Sequence, residues 1–303
     1  MTAREDGFLN LLKPPGMSSH DVVGCARRVL GMKKVGHAGT LDPGAAGVLP
    51  VAAGAATRLI EYLEHAEKSY RAELLLGVAT DSGDLGGEVV ARQAVSMPAT
   101  SEVEQALAAF RGEISQVPPA HSAIKIGGRR AYERLRAGET VELPARRVTI
   151  HRLELLALDA ARHTLLLDVD CSRGTYIRSL CRDIGKRLGM PAVMSFLVRT
   201  RVGDFSLTEA LTLEEFATRG RGALEAPEER LSGLPRYDLP RGRARAFCNG
   251  LPTHDISLAM PEAAHLRVYG EGQFLGIGRA DAATQSVVPE KVLPPSKTIE
   301  TGA

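Results

Sequence analysis

No stretch of the 303-residue chain is long and apolar enough to span a membrane, and Met1–Asp6 lacks the apolar core of a secretory signal. Cysteine is scarce and scattered: Cys25, Cys171, Cys181 and Cys248 form no Cys-x-x-Cys pair. That argues against a structural zinc site and for a reduced, cytoplasmic setting. The eight histidines are dispersed, with no paired-His helix to hold a catalytic metal. Nucleotide-binding signatures are missing too. Gly39 to Gly44 has the spacing of a phosphate loop, but Ala45 stands where the lysine belongs. No Gly-x-Gly-x-x-Gly follows a strand, and no Gly-x-Ser-x-Gly elbow, repeat or low-complexity tract occurs. Neither sign of charge prevails: 38 basic against 36 acidic residues leave +2, which alone neither implies nor excludes a nucleic-acid partner.

What is present is an ordinary globular composition, 44% hydrophobic and 24% charged, in a chain long enough for two domains. Charge is clustered. Basic residues gather at Arg27-Arg28, Lys33-Lys34, Lys125 to Arg136, Arg146-Arg147, Arg178 to Arg187, Arg199-Arg201 and Arg241 to Arg245. Acidic residues gather elsewhere, at Glu61 to Glu67 and Glu225 to Glu229. Each cluster alone reads equally well as a solvated helix face, but together they suit a polyanion footprint.

The stretch with most to say is Gly36-His37-Ala38-Gly39-Thr40-Leu41-Asp42-Pro43-Gly44-Ala45-Ala46-Gly47-Val48-Leu49-Pro50. Its glycines and prolines break any periodic pattern, so it is a shaped loop. From Val35 to Thr57 Asp42 is the only formal charge. Such an aspartate is either a turn residue bonded to its own backbone or a reactive carboxylate whose burial serves chemistry.

Around this loop the pattern predicts a strand over Gly7–Lys13, a helix from Ser18-Ser19 to Leu30, a strand over Val48–Ala52 and a helix over Ala55–Ala66. A strand over Lys68–Gly77 and a turn at Thr80–Asp84 follow. A helix over Ser101–Phe110 should be capped by Thr100 or Ser101, with Glu104 completing a capping box. From Gln116 to Arg147 runs an irregular basic excursion, with a short helix over Ala131–Arg136. Strands are expected over Val148–Leu158, Leu165–Cys171 and Phe196–Phe205, with a helix over Thr175–Leu188 between the last two. Arg178 falls in the first turn of that helix, where the dipole disfavours a cation, which suggests an anionic partner, a phosphate or Asp42; a surface arginine with no role is the alternative. Thr218 to Pro240 has linker composition, and Asp238 to Leu293 shows short apolar runs between glycine turns, as in a small β-rich barrel.

These residues together resemble the TruB family of tRNA pseudouridine synthases. The resemblance is carried by Gly36 to Pro43, Lys13-Pro14-Pro15-Gly16, Lys68-Ser69-Tyr70, Thr80-Asp81, Val117-Pro118-Pro119 to Tyr132, and Cys171 to Arg178, in the family's order from Gly7 to Phe205. The tail resembles a PUA-type RNA-binding module. The resemblance implies an α+β fold: a mixed, mainly antiparallel sheet with flanking helices, a basic arm and a C-terminal PUA-like barrel. It implies a catalytic domain over 1–217 with its arm at about 117–147, a linker over 218–237, the module over 238–297 and a tail to 303.

By the same resemblance Asp42 is the nucleophile that bonds to uridine, Arg178 pairs with it, and Tyr70 stacks on the target base. His37, Tyr176 and Leu197 contact the substrate, and Lys125, Arg129, Arg130, Arg146 and Arg147 grip RNA. The substrate implied is uridine at position 55 in the T-arm of tRNA, with no cofactor or metal, no obligate protein partner, and a monomer. Two other readings stay open: a tRNA-binding or folding protein whose catalysis is secondary, and a hydrolase that excises a base through Asp42.

Overall fold

The apolar run ahead of Pro14 is strand β1 (Gly7–Lys13), and Ser18 caps the helix behind it, α1 (Ser19–Leu30). The Ser18 Oγ accepts the Asp21 N–H at 3.1 Å while the Asp21 carboxylate accepts the Ser18 N–H at 2.8 Å, a reciprocal cap that fixes where the helix begins. The computed structural model describes residues 6–64, 66–121, 125–126, 129–130, 134, 143–255 and 264–294.

After α1 come β2 (Val35–His37), β3 (Ala46–Ala53), α2 (Ile60–Glu64), β4 (Lys68–Leu76), β5 (Val78–Thr80) and β6 (Val89–Arg92). Next are α3 (Thr100–Ala108), β7 (Gly112–Gln116), the short pair β8 (Lys125–Ile126) and β9 (Arg129–Arg130), β10 (Arg146–Asp159), β11 (Thr164–Cys171), α4 (Ile177–Arg187), β12 (Ala192–Val202), β13 (Phe205–Ser206) and α5 (Leu213–Arg219). A nine-stranded mixed sheet runs β1-β3-β12-β4-β11-β10-β7, with β2 beside β3 and β13 beside β12. Its neighbours are antiparallel except β12 and β3, which are parallel. Fold class is therefore α+β, as expected. β3 is buried along its whole length, which is why its sequence is a continuous apolar run rather than an alternation.

Helix α4 lays Ile177, Leu180, Cys181 and Ile184 against Leu74, Leu76, Ala192 and Met194 of β4 and β12. Burying each of its aliphatic side chains contributes roughly 1.5–3 kcal/mol, enough to hold the helix start, and with it Arg178, against the sheet. Helix α1 packs Val22, Val23, Ala26 and Leu30 on β1 and β3.

Two local expectations are corrected. Where one helix was expected over Ala55–Ala66, a 3-10 turn over Gly54–Leu59 precedes the single helical turn of α2. Helix α3 starts after Ala99, and the carboxylate of Glu102, not Glu104, accepts the Ala99 N–H at 2.7 Å. An acidic third residue caps the backbone here without a hydroxyl partner. The helix expected over Ala131–Arg136 lies outside the described residues apart from Arg134.

The segment 218–237 packs on the large sheet. Phe8 and Glu225 exchange backbone hydrogen bonds of 3.0 and 2.8 Å, and Leu224, Ala226 and Leu231 are buried. Beyond it β14 (Arg236–Asp238), α6 (Ala244–Cys248), β15 (Thr253–His254), β16 (His265–Gly270), β17 (Gln273–Asp281) and β18 (Ser286–Val292) follow, the strands forming a five-stranded sheet ordered β14-β16-β17-β18-β15. Ile277 and Leu293 enter one cluster with Phe8, Val48, Leu59 and Leu63. Lys291 pairs with Glu61 at 2.8 Å, and the Tyr62 hydroxyl donates to Glu290 at 3.1 Å, so the small sheet is seated on α2. Among the described residues no helix is long and apolar enough to cross a membrane.

Candidate active site

The glycine-rich loop between β2 and β3 is held at alternate residues. The guanidinium of Arg199 donates to the Gly39 carbonyl at 2.8 Å. Leu41 is clamped by buried Ser19, whose Oγ accepts the Leu41 N–H at 2.9 Å and donates to its carbonyl at 3.1 Å. The Pro43 carbonyl accepts from the Gly16 N–H at 2.8 Å and from the Lys13 ammonium at 3.2 Å. Asp42 stands between these anchors with its side chain uncommitted to the loop backbone. The turn-aspartate reading thus lacks its hydrogen bond; the loop is fixed by other elements.

What Asp42 meets instead is Arg178. The Arg178 Nε lies 3.1 Å from Asp42 Oδ2, with the arginine side chain 7% exposed and the aspartate side chain 41%. The rest of the guanidinium is spoken for: Nη1 donates to the Ser82 carbonyl at 2.9 Å, Nη2 to the His121 carbonyl at 3.0 Å, and the Asp84 carboxylate is 3.6 Å away. Arg178 is the second residue of α4, so the unfavourable helix dipole is offset by two carboxylates and two carbonyls. Burial raises the Asp42 carboxyl above the ordinary aspartate range; Arg178 is the main influence opposing it, Asp84 adds to the rise and Lys13 reduces it. Such a carboxylate can act as a nucleophile or as a base.

Tyr70, on β4, is buried in one apolar cluster with Leu197 and with Leu41 and Ile177, the chain neighbours of Asp42 and Arg178. Burial pushes the Tyr70 phenol up to about 12, with Arg199 opposing. Tyr176 is fixed at the entrance to α4 by Gln116, whose amide accepts the Tyr176 N–H at 2.8 Å and donates to its carbonyl at 3.1 Å. The Arg146 guanidinium lies 5.5 Å from the Tyr176 ring centre. His37 ends β2, half-buried, and burial, then Arg199 and His20, lower its pKa, which favours the neutral ring. Arg147 is exposed and pairs with Glu113 at 2.8 Å. The side chains of Lys125, Arg129 and Arg130 lie outside the described residues. A cavity of about 440 Å³ adjoins Arg178, between Thr80–Gly83, Val117–Ala120, Leu143 and the first turns of α4. It does not include Asp42.

Sequence reasoning overlooked three charged groups. Lys13 is fully buried, its ammonium donating to the carbonyls of Pro14, Met17 and Pro43. Asp84 backs Arg178. Arg199 was counted among the basic clusters facing a polyanion, yet it is buried in the sheet. A signal existed: Leu197 and Arg199 are two apart on one strand and so share the inward face. Among the described residues no group of three or more His, Cys, Asp or Glu could hold a metal ion.

Comparison with known proteins is consistent with this geometry. Residues 27–177 match the family model described as TruB family pseudouridylate synthase (N terminal domain), and residues 178–231 match the tRNA pseudouridylate synthase B C-terminal domain. The chain is 47% identical over 277 residues to tRNA pseudouridine synthase B of Heliobacterium modesticaldum, covering 91% of this chain and 90% of that one. It is 54% identical over 242 residues to tRNA pseudouridine synthase B of Symbiobacterium thermophilum, covering 80% of each. Among solved structures, a chain in the crystal structure of a Cbf5-Nop10-Gar1 complex superposes with a TM-score of 0.76 at 28% identity, covering 96% of this chain and 86% of that chain.

Proposed function

The chain belongs to the TruB family of pseudouridylate synthases, and we propose that it isomerises uridine 55 in the T-arm of tRNA to pseudouridine through Asp42. The observation that carries this reading is the Asp42 carboxylate held 3.1 Å from a buried guanidinium, beside a tyrosine and a leucine in an apolar cluster.

The reaction breaks the bond between C1′ of the ribose and N1 of uracil, turns the base, joins C1′ to C5, releases the C5 proton and takes up a proton at N1, so the composition is unchanged. It asks for a group that can bond to the nucleoside and later leave, and a carboxylate does both. The group must be ionised in a site emptied of water, and Arg178 favours that form. The uridine has to leave its stack, at about a few kcal/mol, and stacking on Tyr70 returns roughly 1–3 kcal/mol. Leu197 bounds the base apolarly, and Tyr176 and His37 flank it. Arg146, Arg147 and the arm's Lys125, Arg129 and Arg130 hold phosphates, which position the RNA without reading sequence.

The same reading assigns 1–217 to catalysis, with the arm at about 117–147, and 218–237 to the connection. The five-stranded sheet, which lies within 238–297 except for Arg236 and Tyr237 of β14, is then a PUA-like RNA-binding module. The protein works in the cytoplasm as a single chain with tRNA as its partner and needs neither cofactor nor metal. A protein that only bound or refolded tRNA would have no use for a carboxylate set 3.1 Å from a buried guanidinium.

Incubation with an unmodified tRNA transcript tritiated at uridine C5 tests the proposal. Label should be released from the T-loop alone, with the RNA mass unchanged apart from the exchanged label, and Asp42→Ala should abolish release. Full release by Asp42→Ala would overturn the assignment, and a mass loss equal to one uracil would mean excision instead.

A further inference from the structure

Arg199 is 1% exposed, and burial rather than any carboxylate of the described residues dominates its surroundings. Removing a charge from water without an acid partner is expensive, so its other contacts must offset that cost. They are specific. Nε donates to the Val48 carbonyl at 2.8 Å and Nη2 to the Gly39 carbonyl at 2.8 Å, and the charge bears on the Tyr70 phenol. One planar fork thus joins β3 to the loop that carries Asp42, with the ring of Tyr70 on the paired strand β4. Strand register brings this about: Arg199 on β12 faces Tyr70 across an antiparallel pair and Gly47 across a parallel one.

The approach is close enough to dictate glycine at two positions. Gly47 has φ +118°, and a β-carbon there would overlap the Arg199 backbone. Gly39 has φ +74°, and a β-carbon would press on the guanidinium at 3.2 Å. Arg199 is also the main influence opposing the rise that burial imposes on the Tyr70 phenol, and its charge bears on Lys13 and His37.

We infer that Arg199 is a positioning residue for the reaction: by holding the Val48 carbonyl with one part of its fork and the Gly39 carbonyl with another, on the strand that pairs with Tyr70, it sets the Asp42 loop and the stacking ring in one rigid frame. The inference rests on the proposed roles of Asp42 and Tyr70. A phenyl ring without its hydroxyl loses the polar group on which the Arg199 charge bears, and a lysine at 199 can reach one of the two carbonyls but not both. Because displacements near 1 Å can cost about 100-fold in rate, the effect belongs in the chemical step rather than in RNA affinity.

The test compares Arg199→Lys, Tyr70→Phe and the double variant in single-turnover C5-tritium release from a tRNA transcript, with filter binding of the same RNA. Each single variant should lose about 10- to 100-fold in rate, the range for a misplaced reacting group, with tRNA affinity within about twofold of wild type. The double variant should be no slower than the worse single one. A merely structural arginine would give losses that multiply, or that fall on affinity. Either result overturns the inference, as does a wild-type rate for Arg199→Lys. If Arg199→Lys does not fold, Tyr70→Phe decides alone, because it leaves both carbonyl contacts of Arg199 in place; a wild-type rate there overturns the inference too. Asp42→Asn run alongside separates the two layers: turnover by that variant sinks the site reading itself.

Discussion

Replacing Arg178 by methionine keeps most of the side-chain volume and removes the cation beside Asp42. At 3.1 Å and an effective dielectric constant of about 20, the Coulomb attraction has a ceiling near 5 kcal/mol. Because the Asp42 side chain is 41% exposed, solvent screens part of this, leaving roughly 2–3 kcal/mol. At 1.36 kcal/mol per decade this is a loss of about 30- to 150-fold in kcat/KM near pH 7. The loss should carry a pH signature. Without Arg178 the Asp42 carboxyl rises further, so the variant needs a higher pH than wild type to ionise it. Tritium release measured from pH 6 to 9 should therefore show the deficit narrowing on the alkaline side. Circular dichroism must confirm that the variant is folded, since the Ser82 and His121 carbonyls lose their donor. Wild-type turnover at pH 7 would refute the pairing argument; a deficit equal at every pH would refute its electrostatic part.

Asp42→Asn should abolish turnover and yet stabilise the fold at neutral pH. The carboxyl is raised in the folded state, so wild-type stability falls as pH climbs from the ordinary aspartate range through the raised value; the variant's advantage should be full above that window and vanish below it. Urea unfolding at pH 7 and pH 3 checks the sign, and a variant less stable at pH 7 contradicts it. Lys13→Met leaves the carbonyls of Pro14, Met17 and Pro43 without their buried donor and should cost roughly 3–5 kcal/mol, seen as a lower urea midpoint at constant slope. A change below about 1 kcal/mol would show that those bonds contribute little. Arg147→Ala, at a site 82% exposed, should reduce the dependence of log K on log salt by about 0.7–0.9 for tRNA binding. An unchanged slope would remove Arg147 from the RNA footprint.

Elements with strong local signals were legible in advance. Strand β1 and helix α1 came out with the expected bounds, because a proline ends one and a serine cap begins the other. The cap of α3 was not legible: Glu102 accepts the Ala99 backbone N–H directly, while Thr100 and Ser101, which look like caps, already lie in the helix. Asp42 stood out because it is the one charge in a long apolar, glycine-rich stretch, and Arg178 because a cation in a first helical turn wants an anion. Arg199 and Lys13 were hidden for the opposite reason. Among many surface cations, a buried one looks the same in sequence, and only the parity of its strand position or the apolar run before it hints at the difference. Asp84 contacts Arg178 only through the fold of the Thr80–Asp84 turn, which sequence cannot supply.

Two of the overlooked groups, Lys13 and Arg199, share a physical task with Ser19. A loop that carries a reactive carboxylate has to be rigid without a regular hydrogen-bond ladder. Its backbone carbonyls therefore need donors from outside. Gly39, Leu41 and Pro43 take theirs from Arg199 on β12, Ser19 on α1 and Lys13 on β1. Residues 39, 41 and 43 are pinned from separate directions, and Asp42, biased to extended dihedrals by Pro43, is left to face Arg178. Apolar replacements at Lys13 or Arg199 would leave buried carbonyls unsatisfied and free the loop to move by the fraction of an ångström on which the reaction depends. Buried charge in this protein is thus accounted for by the position of one carboxylate, held by two cations and a serine that need not touch the substrate.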